Sequence, residues 1–493
     1  MSKHGPFEKG KDIITRTPSG EVRAYQLKAG NIGLGEWRII YGEITNLVEL
    51  AIELPGEKPI TNFVPYLVTN GQLTDPVLEQ VRVGNITWQQ RGINNQLHLI
   101  QEQDLCDRFK VSHGAYLPHQ LQDFRTFLEL ILRDGAAPAA KKTAAQLIEH
   151  VLPDTTQCNR PVDAARAAAS LVLLTAYITG PATLKTNYWA VFEYWVLTAA
   201  YILHLIEKFH AAESECDVSF RLCEMAAENA LYALAEECER CGHLVQGMPL
   251  IDGHVYRARA TILVGLLSAW DLFLRVQRRC RPKADFVRLF LNRRLREATV
   301  WGESAVTYLY LAALEAEENC APLMAEGLII QLIREISAAN GASATGRGVP
   351  SPYYSAEESL RVNFGLDFLN DEQFLGLSYS ISTLVDFLAR RWRRQALASL
   401  WFGVTRISLV SYVPANFSEW YRWNSSDGIL DSHLPGEPQS WEALRTNAET
   451  ISVEELPPTL RERPAFALWF VLVYPHRFTR ATAKLIEDAL SGQ

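Results

Sequence analysis

Residues 10–35 read GKDIITRTPSGEVRAYQLKAGNIGLG, and the folding of this stretch decides what the N-terminal part of the chain is. Asp12 to Thr15 is a short strand-like run, Pro18-Ser19-Gly20 marks a turn, and Val22 to Lys28 (VRAYQLK) resumes with alternation. Two such runs across a turn predict a β-hairpin. Side chains two apart on a strand share a face, so Gln26 and Lys28 fall on the same side. Pairing across the turn brings Asp12, at the start of the partner strand, next to that face. A carboxylate, an amide oxygen and an ammonium then converge at one edge of a sheet. Phosphodiester hydrolysis needs those parts. Asp12 is the natural ligand for an oxygen-bound Mg²⁺, with Gln26 through its side-chain oxygen and Leu27 through its backbone carbonyl as further ligands. Lys28 is the catalytic amine, placed to orient or deprotonate water and to offset developing charge.

Working outward, Glu36 to Leu54 places Trp37, Ile40, Ile44, Leu47, Val48 and Ala51 at helical spacing, and Pro55-Gly56 stops it. Asn62 to Thr69 (NFVPYLVT) is a buried-type strand, and Asn70-Gly71 turns the chain. Thr74 or Asp75 caps a helix that begins at Pro76 and runs towards Val83; Gln96 to Ile100 is a last strand and Gln103 to Phe109 a last short helix. This alternation predicts an α/β sandwich.

The run HGPFEKGKDII…GEVRAYQLKAGNIG resembles the restriction-endonuclease-like superfamily, whose core motif is an Asp followed by Glu-or-Gln-x-Lys. The glutamine variant, with Gly10-Lys11-Asp12 ahead of it, most resembles the Mrr-like type. The resemblance covers roughly residues 1–118. It implies a restriction-endonuclease-like sandwich, Mg²⁺- or Mn²⁺-dependent cleavage of double-stranded DNA, and defence against foreign or modified DNA. Asp12, Gln26 and Lys28 are carried over as metal ligand, metal-side ligand and catalytic lysine. Family members carry a helix, and often an acid, ahead of the Gly-x-Asp. Only eleven residues precede Asp12, so that support lies upstream or is missing, with Glu8 as the nearby stand-in. Glutamine in place of glutamate removes one negative charge and weakens metal binding.

From His119 onwards long amphipathic runs dominate: Gln120 to Arg133, Ala139 to Val151, Ala164 to Thr179, Tyr188 to Ala212, Val218 to Cys241 and His254 to Arg278. Phe286 to Glu315, Leu323 to Ala338, Leu375 to Leu409 and Ala481 to Leu490 follow, with no fixed repeat period. A large all-α region is expected, divided into 119–340 and 353–493 by the Ala/Gly/Ser-rich stretch Ser337 to Pro352, which reads as a mobile loop or a linker. Phe417 to Pro458 has no assignable pattern.

The chain has 493 residues, 48% of them apolar, and a net charge of −8, so a nucleic-acid surface must come from local patches. Arg275 to Arg296 is one basic run, with Arg278, Arg279, Arg281, Arg293 and Arg294 as its candidate contacts, and Arg390-Arg391-Trp392-Arg393-Arg394 is a second with a tryptophan for stacking. The plainer reading pairs these cations with acids such as Glu303, Glu315, Glu317 and Glu318. Of eight cysteines only Cys238 and Cys241, with His243 behind them, have ligand-like spacing, and a helix accounts for that pair better than zinc does. Tyr188 to Phe209 is long enough to span a bilayer but carries Glu193 and His204, so a buried core helix and a cytoplasmic chain without a membrane partner are expected. The expectations are thus a DNA endonuclease whose helical region recognises, dimerises or regulates, as a homodimer or with a partner subunit, and, as the rival, a non-catalytic nucleic-acid-binding or scaffold protein. A helical region that serves mainly as a sensor is a third.

Overall fold

The computed structural model describes residues 11–17, 20–53, 58–105, 107–108, 121–152, 161–210, 213–241, 253–340, 348–365, 376–423, 429–433 and 440–492. Glu8, Gly10, Pro18, Ser19 and His243, together with parts of Ser337 to Pro352 and Phe417 to Pro458, lie outside them. The chain divides into two units, Met1–Ala115 and Tyr116–Gln493.

In the first unit the expected hairpin forms. Strand β1 (Ile13–Arg16) runs antiparallel to β2 (Val22–Lys28), with Ile13 opposite Tyr25 and Arg16 opposite Val22. After helix α1 (Leu34–Glu49), strand β3 (Val64–Thr69) pairs parallel to β2. After helix α2 (Asp75–Gln90), β4 (His98–Ile100) pairs parallel to β3, giving the order β1-β2-β3-β4. Pro65 is tolerated in β3 because β4 pairs only from Tyr66 onward.

One sheet face carries Val22, Ala24 and Gln26 of β2 beside Pro65, Leu67 and Thr69 of β3, all buried. Ile40, Ile44, Leu47 and Val48 of α1 and Val77, Val81 and Trp88 of α2 join the same core. The apolar stripe of α1 follows helical period, and each fully buried Ile or Leu in it contributes about 1.5–3 kcal/mol. The helix ends at Glu49, before Pro55, with Leu50 already extended. On the opposite face Tyr25 stacks on Tyr66 at 5.1 Å, and Tyr66 meets His98 at 5.3 Å.

The second unit is mostly helical. Among the described residues one buried core extends from Phe127 to Ile486 and draws on both 119–340 and 353–493. At its centre lie the helices Tyr188–Phe209, Gly253–Val276, Ser304–Glu318 and Pro464–Val473. Trp469 stacks on Phe273 and meets Phe192 edge-on. A Cβ on Gly265 would fall 2.4 Å from the Cβ of Tyr308, so only glycine permits this approach of the second and third of these helices. By length and composition Ala164–Leu184 and Tyr188–Phe209 are both able to cross a membrane; 83% of the second one's apolar window is buried inside the protein, as in a core helix. Its Glu193 pairs with Lys141 at 2.6 Å, and its His204 meets the Ser418 carbonyl at 2.8 Å.

Two long expected helices are interrupted. Phe286 to Glu315 breaks between Ala284–Arg294 and Ser304–Glu318, where Thr299 turns its amide and carbonyl to the Thr261 hydroxyl instead of a helical ladder. Leu375 to Leu409 becomes strand β5 (Leu377–Ser378), the helices Ile381–Arg390 and Arg394–Val404, and the start of β6 (Ser408–Val413), which pairs with β7 (Ile429–His433). The buried Glu303 carboxylate accepts from the Tyr379 amide and the Ser380 hydroxyl, holding that segment open, and Trp392 sits at φ 60° between the two helices. Tertiary contacts here override helical periodicity.

Glu487 ties the last helix, Arg480–Ser491, to the rest: it pairs with Arg390 at 2.6 Å and Arg391 at 3.0 Å and accepts from the Tyr310 hydroxyl. Burial pushes its carboxyl up, but Arg391 and Arg390 outweigh burial and hold it below the usual range. Removing one partner of a buried pair strands the others. We therefore expect Glu487→Ala to cost about 3–5 kcal/mol in urea denaturation. Arg288→Ala, which breaks only the exposed pair with Asp285, should cost less than about 1 kcal/mol.

Candidate active site at the edge of the N-terminal sheet

The antiparallel register places Asp12 one residue beyond the β1–β2 ladder. Its amide donates to the Tyr25 carbonyl at 2.8 Å, and its Oδ2 accepts from the Leu27 amide at 2.6 Å. The carboxylate is thereby fixed against the backbone between Gln26 and Lys28. The Leu27 carbonyl leaves β2 on the same edge as its amide, beside Asp12, because in an antiparallel pair both groups of a residue face one neighbour.

Gln26 and Lys28 share a face as expected. Gln26 is 5% exposed, and its Oε1 has no hydrogen-bond partner among the described residues. Its amide nitrogen approaches Glu43 Oε2 at 3.4 Å, and the Lys28 ammonium pairs with the same oxygen at 2.5 Å. Glu43, on α1, is a site residue that the motif alone did not reveal. The available signal is its position: an acid beside Ile40, Ile44 and Leu47, at the border of the stripe that packs on β2. Lys11 does not join the group. It is buried, with its Nζ on the Asn46 carbonyl at 3.0 Å and over the Phe63 ring.

The loop after Lys28 is built into the sheet end. Gly30 (φ +78°) lies so close to the β3–α2 turn that a Cβ on Gly71 would fall 2.4 Å from its carbonyl carbon. Thr69 Oγ1 donates to the Gly30 carbonyl at 2.6 Å, and Asn70 Oδ1 accepts from the Gly30 amide at 2.7 Å. These bonds hold the C-terminal ends of two parallel strands together, where open α/β sheets place ligands.

The Gln26 amide oxygen and the Asp12 and Glu43 carboxylates are hard-oxygen donors of the kind that Mg²⁺ and Mn²⁺ take. The set contains two carboxylates; among the described residues no three His, Cys, Asp or Glu side chains cluster as a metal site.

The basic runs are largely spent on the fold. Arg279 pairs with Glu228 at 2.7 Å, Arg281 with Asp271 and Glu315, and Arg294 with Glu297 at 3.1 Å. Arg390 pairs with Glu487, Arg391 with Glu317 at 2.5 Å, and Arg393 with Glu326 at 3.0 Å. Trp392 is exposed and carries the Arg445 guanidinium over its ring at 3.8 Å. Arg278, Arg293 and Arg394 are exposed and have no ion-pair partner among the described residues. Cys238 is buried, which pushes its thiol up to about 12.

No family model matches the chain, and neither a curated protein nor a solved structure matches it.

An unsatisfied buried oxygen is kept at a cost, so a residue that removes it should relieve the fold. We expect Gln26→Met to leave the melting temperature unchanged or raised in calorimetry. A clear fall would make the glutamine a structural residue instead of a ligand.

Proposed function

We propose that Asp12, Gln26, Lys28 and Glu43 form the active site of a Mg²⁺- or Mn²⁺-dependent endodeoxyribonuclease, a restriction-endonuclease-like domain of Mrr-like type. The observation that carries the reading is the buried, unpartnered Gln26 Oε1 on the residue that precedes Leu27, whose amide holds the Asp12 carboxylate. Asp12, the Gln26 oxygen and the Leu27 carbonyl would hold the cation. When bound, it supplies Lewis acidity to a phosphoryl oxygen and lowers the pKa of its water.

The protein's own groups do the rest. Glu43 pairs with the Lys28 ammonium at 2.5 Å and holds it at the sheet edge. An ammonium there is suited to offset charge on the phosphate as the water oxygen bonds to phosphorus, giving its proton to solvent, and the ester oxygen leaves and takes a proton from solvent. This favours charge compensation over proton abstraction as the lysine's role. Cleavage of both strands needs two such sites, which supports a homodimer. We assign the chain to the cytoplasm and to defence against foreign DNA, with the helical unit recognising, dimerising or restraining the nuclease. Arg278, Arg293 and Arg394 are the cations of the two basic runs best placed to meet DNA phosphates.

One observation favours the alternative, a non-catalytic nucleic-acid-binding or scaffold protein: the Lys28–Glu43 pair satisfies both charges without a cation. Plasmid cleavage separates the two. With supercoiled and linear DNA and Mg²⁺, Mn²⁺ or EDTA, we expect metal-dependent nicking or linearisation. Lys28→Ala and Asp12→Asn should each lower it at least about a hundredfold, the scale of losing a charge-stabilising group. Undiminished cutting by either variant would remove the mechanism, and no cutting by the native chain under any condition would favour the scaffold.

A further inference from the structure

The helical unit contains a cavity of about 840 Å³, bounded by β6, the turn Phe417–Tyr421, the helices Ile381–Arg390 and Arg394–Val404, and the start of the last helix. Its size is that of a small-molecule site. Tyr379, Trp401, Tyr412, Phe417, Trp420 and Phe478 supply aromatic wall.

Three of its lining residues are buried and polar yet lack hydrogen-bond partners among the described residues. His476 is 3% exposed with both ring nitrogens unpaired, Tyr412 is 6% exposed with its hydroxyl unpaired, and Trp420 is 3% exposed with its indole N–H unpaired. Other buried groups among the described residues, such as the Trp270 and Trp469 indoles, also lack partners, but these three share the wall of one cavity, where a ligand could satisfy them together. They are also held rigidly. Tyr353 stacks on the His476 ring at 4.5 Å while Trp423 meets it edge-on at 4.8 Å. The Arg477 guanidinium lies over the Tyr412 ring at 3.5 Å and donates to the Trp420 carbonyl at 3.2 Å.

Of the charged residues that line the cavity, Glu455 is exposed and Asp386 and Arg480 are paired with each other at 2.5 Å. Arg477 is spent on backbone carbonyls and the Tyr412 ring. Burial, with Arg477 and Lys141 adding repulsion, pushes His476 well below its usual value, so the ring is neutral and offers one donor and one acceptor. With the tyrosine hydroxyl and the indole N–H, the wall presents donors and at least one acceptor to a flat, uncharged partner.

We propose that this cavity binds a planar, uncharged heteroaromatic ring of the nucleobase type, stacked on the aromatic wall and hydrogen-bonded by His476, Tyr412 and Trp420. Aromatic walls favour flat rings, and each base edge carries donors and acceptors in this neutral pattern. The site is independent of the nuclease reading.

The test is calorimetric titration of the full chain with adenosine, guanosine, cytidine, uridine and thymidine. At least one should bind with one site per chain and a Kd below about 1 mM, and should raise the melting temperature. Tyr412→Phe removes only a hydroxyl and should weaken binding about five- to tenfold. Trp420→Phe removes the indole donor with a similar loss. A single-stranded oligonucleotide of the bound base, run alongside, distinguishes the source: tighter binding than the nucleoside indicates a base presented by a strand, and weaker binding a free small molecule. No binding by any nucleoside at millimolar concentration, or binding unchanged in both folded variants, overturns the proposal.

Discussion

The antiparallel pairing of Ile13–Arg16 with Val22–Tyr25, closed at its end by the Asp12–Leu27 hydrogen bond, is the constraint on which the candidate site depends. A strand register is discrete. A slip of one residue turns every side chain to the other face, and the Asp12 carboxylate would lose its hydrogen bond to the Leu27 amide. The register is itself secured from the other side of β2, where residues 23–28 pair in parallel with residues 64–69 of β3 while Val22 and Ala24 are buried in the α1 core. Packing of an ordinary apolar face thus positions a polar edge that packing alone would not produce.

The two units place their polar groups in contrasting ways. In the helical unit several buried charges are answered by opposite ones: Glu193 by Lys141, Asp386 by Arg480, and Glu487 by two arginines with a tyrosine. Such networks fix the geometry of helices whose apolar surfaces alone would pack in several ways. Gln26 Oε1 in the first unit, and His476, Tyr412 and Trp420 in the second, are among the buried polar groups without partners among the described residues, and the last three differ from the others cited in sharing one cavity wall.

Much of the first unit was legible because its signals are local. VRAYQLK alternates, and the strand occupies the same residues, 22–28. The stripe from Trp37 to Val48 fixed the face of α1 that is buried, although the helix ends at Glu49 because Leu50 turns extended. Glu43 was missed since its relation to Lys28 exists only across the packed helix and strand. In the helical unit the basic runs looked like surfaces for phosphate because the acids that neutralise them lie far off in sequence: Glu228 for Arg279, Glu317 for Arg391 and Glu487 for Arg390. The pairs of Arg275 with Glu318 and Arg281 with Glu315 follow the plainer reading of those runs. Apolar periodicity across Leu375 to Leu409 could not report the buried Glu303, whose hydrogen bonds to Tyr379 and Ser380 lie between β5 and the helix Ile381–Arg390. The aromatic cavity was invisible for the same reason, being assembled from residues 379–481 by tertiary packing.

The central claim is that Asp12 and Gln26 hold a divalent cation at the sheet edge. Mn²⁺ titration of the full chain, followed by electron paramagnetic resonance with a non-hydrolysable phosphorothioate duplex present, tests it most directly. The account predicts one Mn²⁺ site per chain that Asp12→Asn abolishes while the circular dichroism stays native. Equal Mn²⁺ binding by the native chain and the Asp12→Asn variant, or none by either, would contradict it.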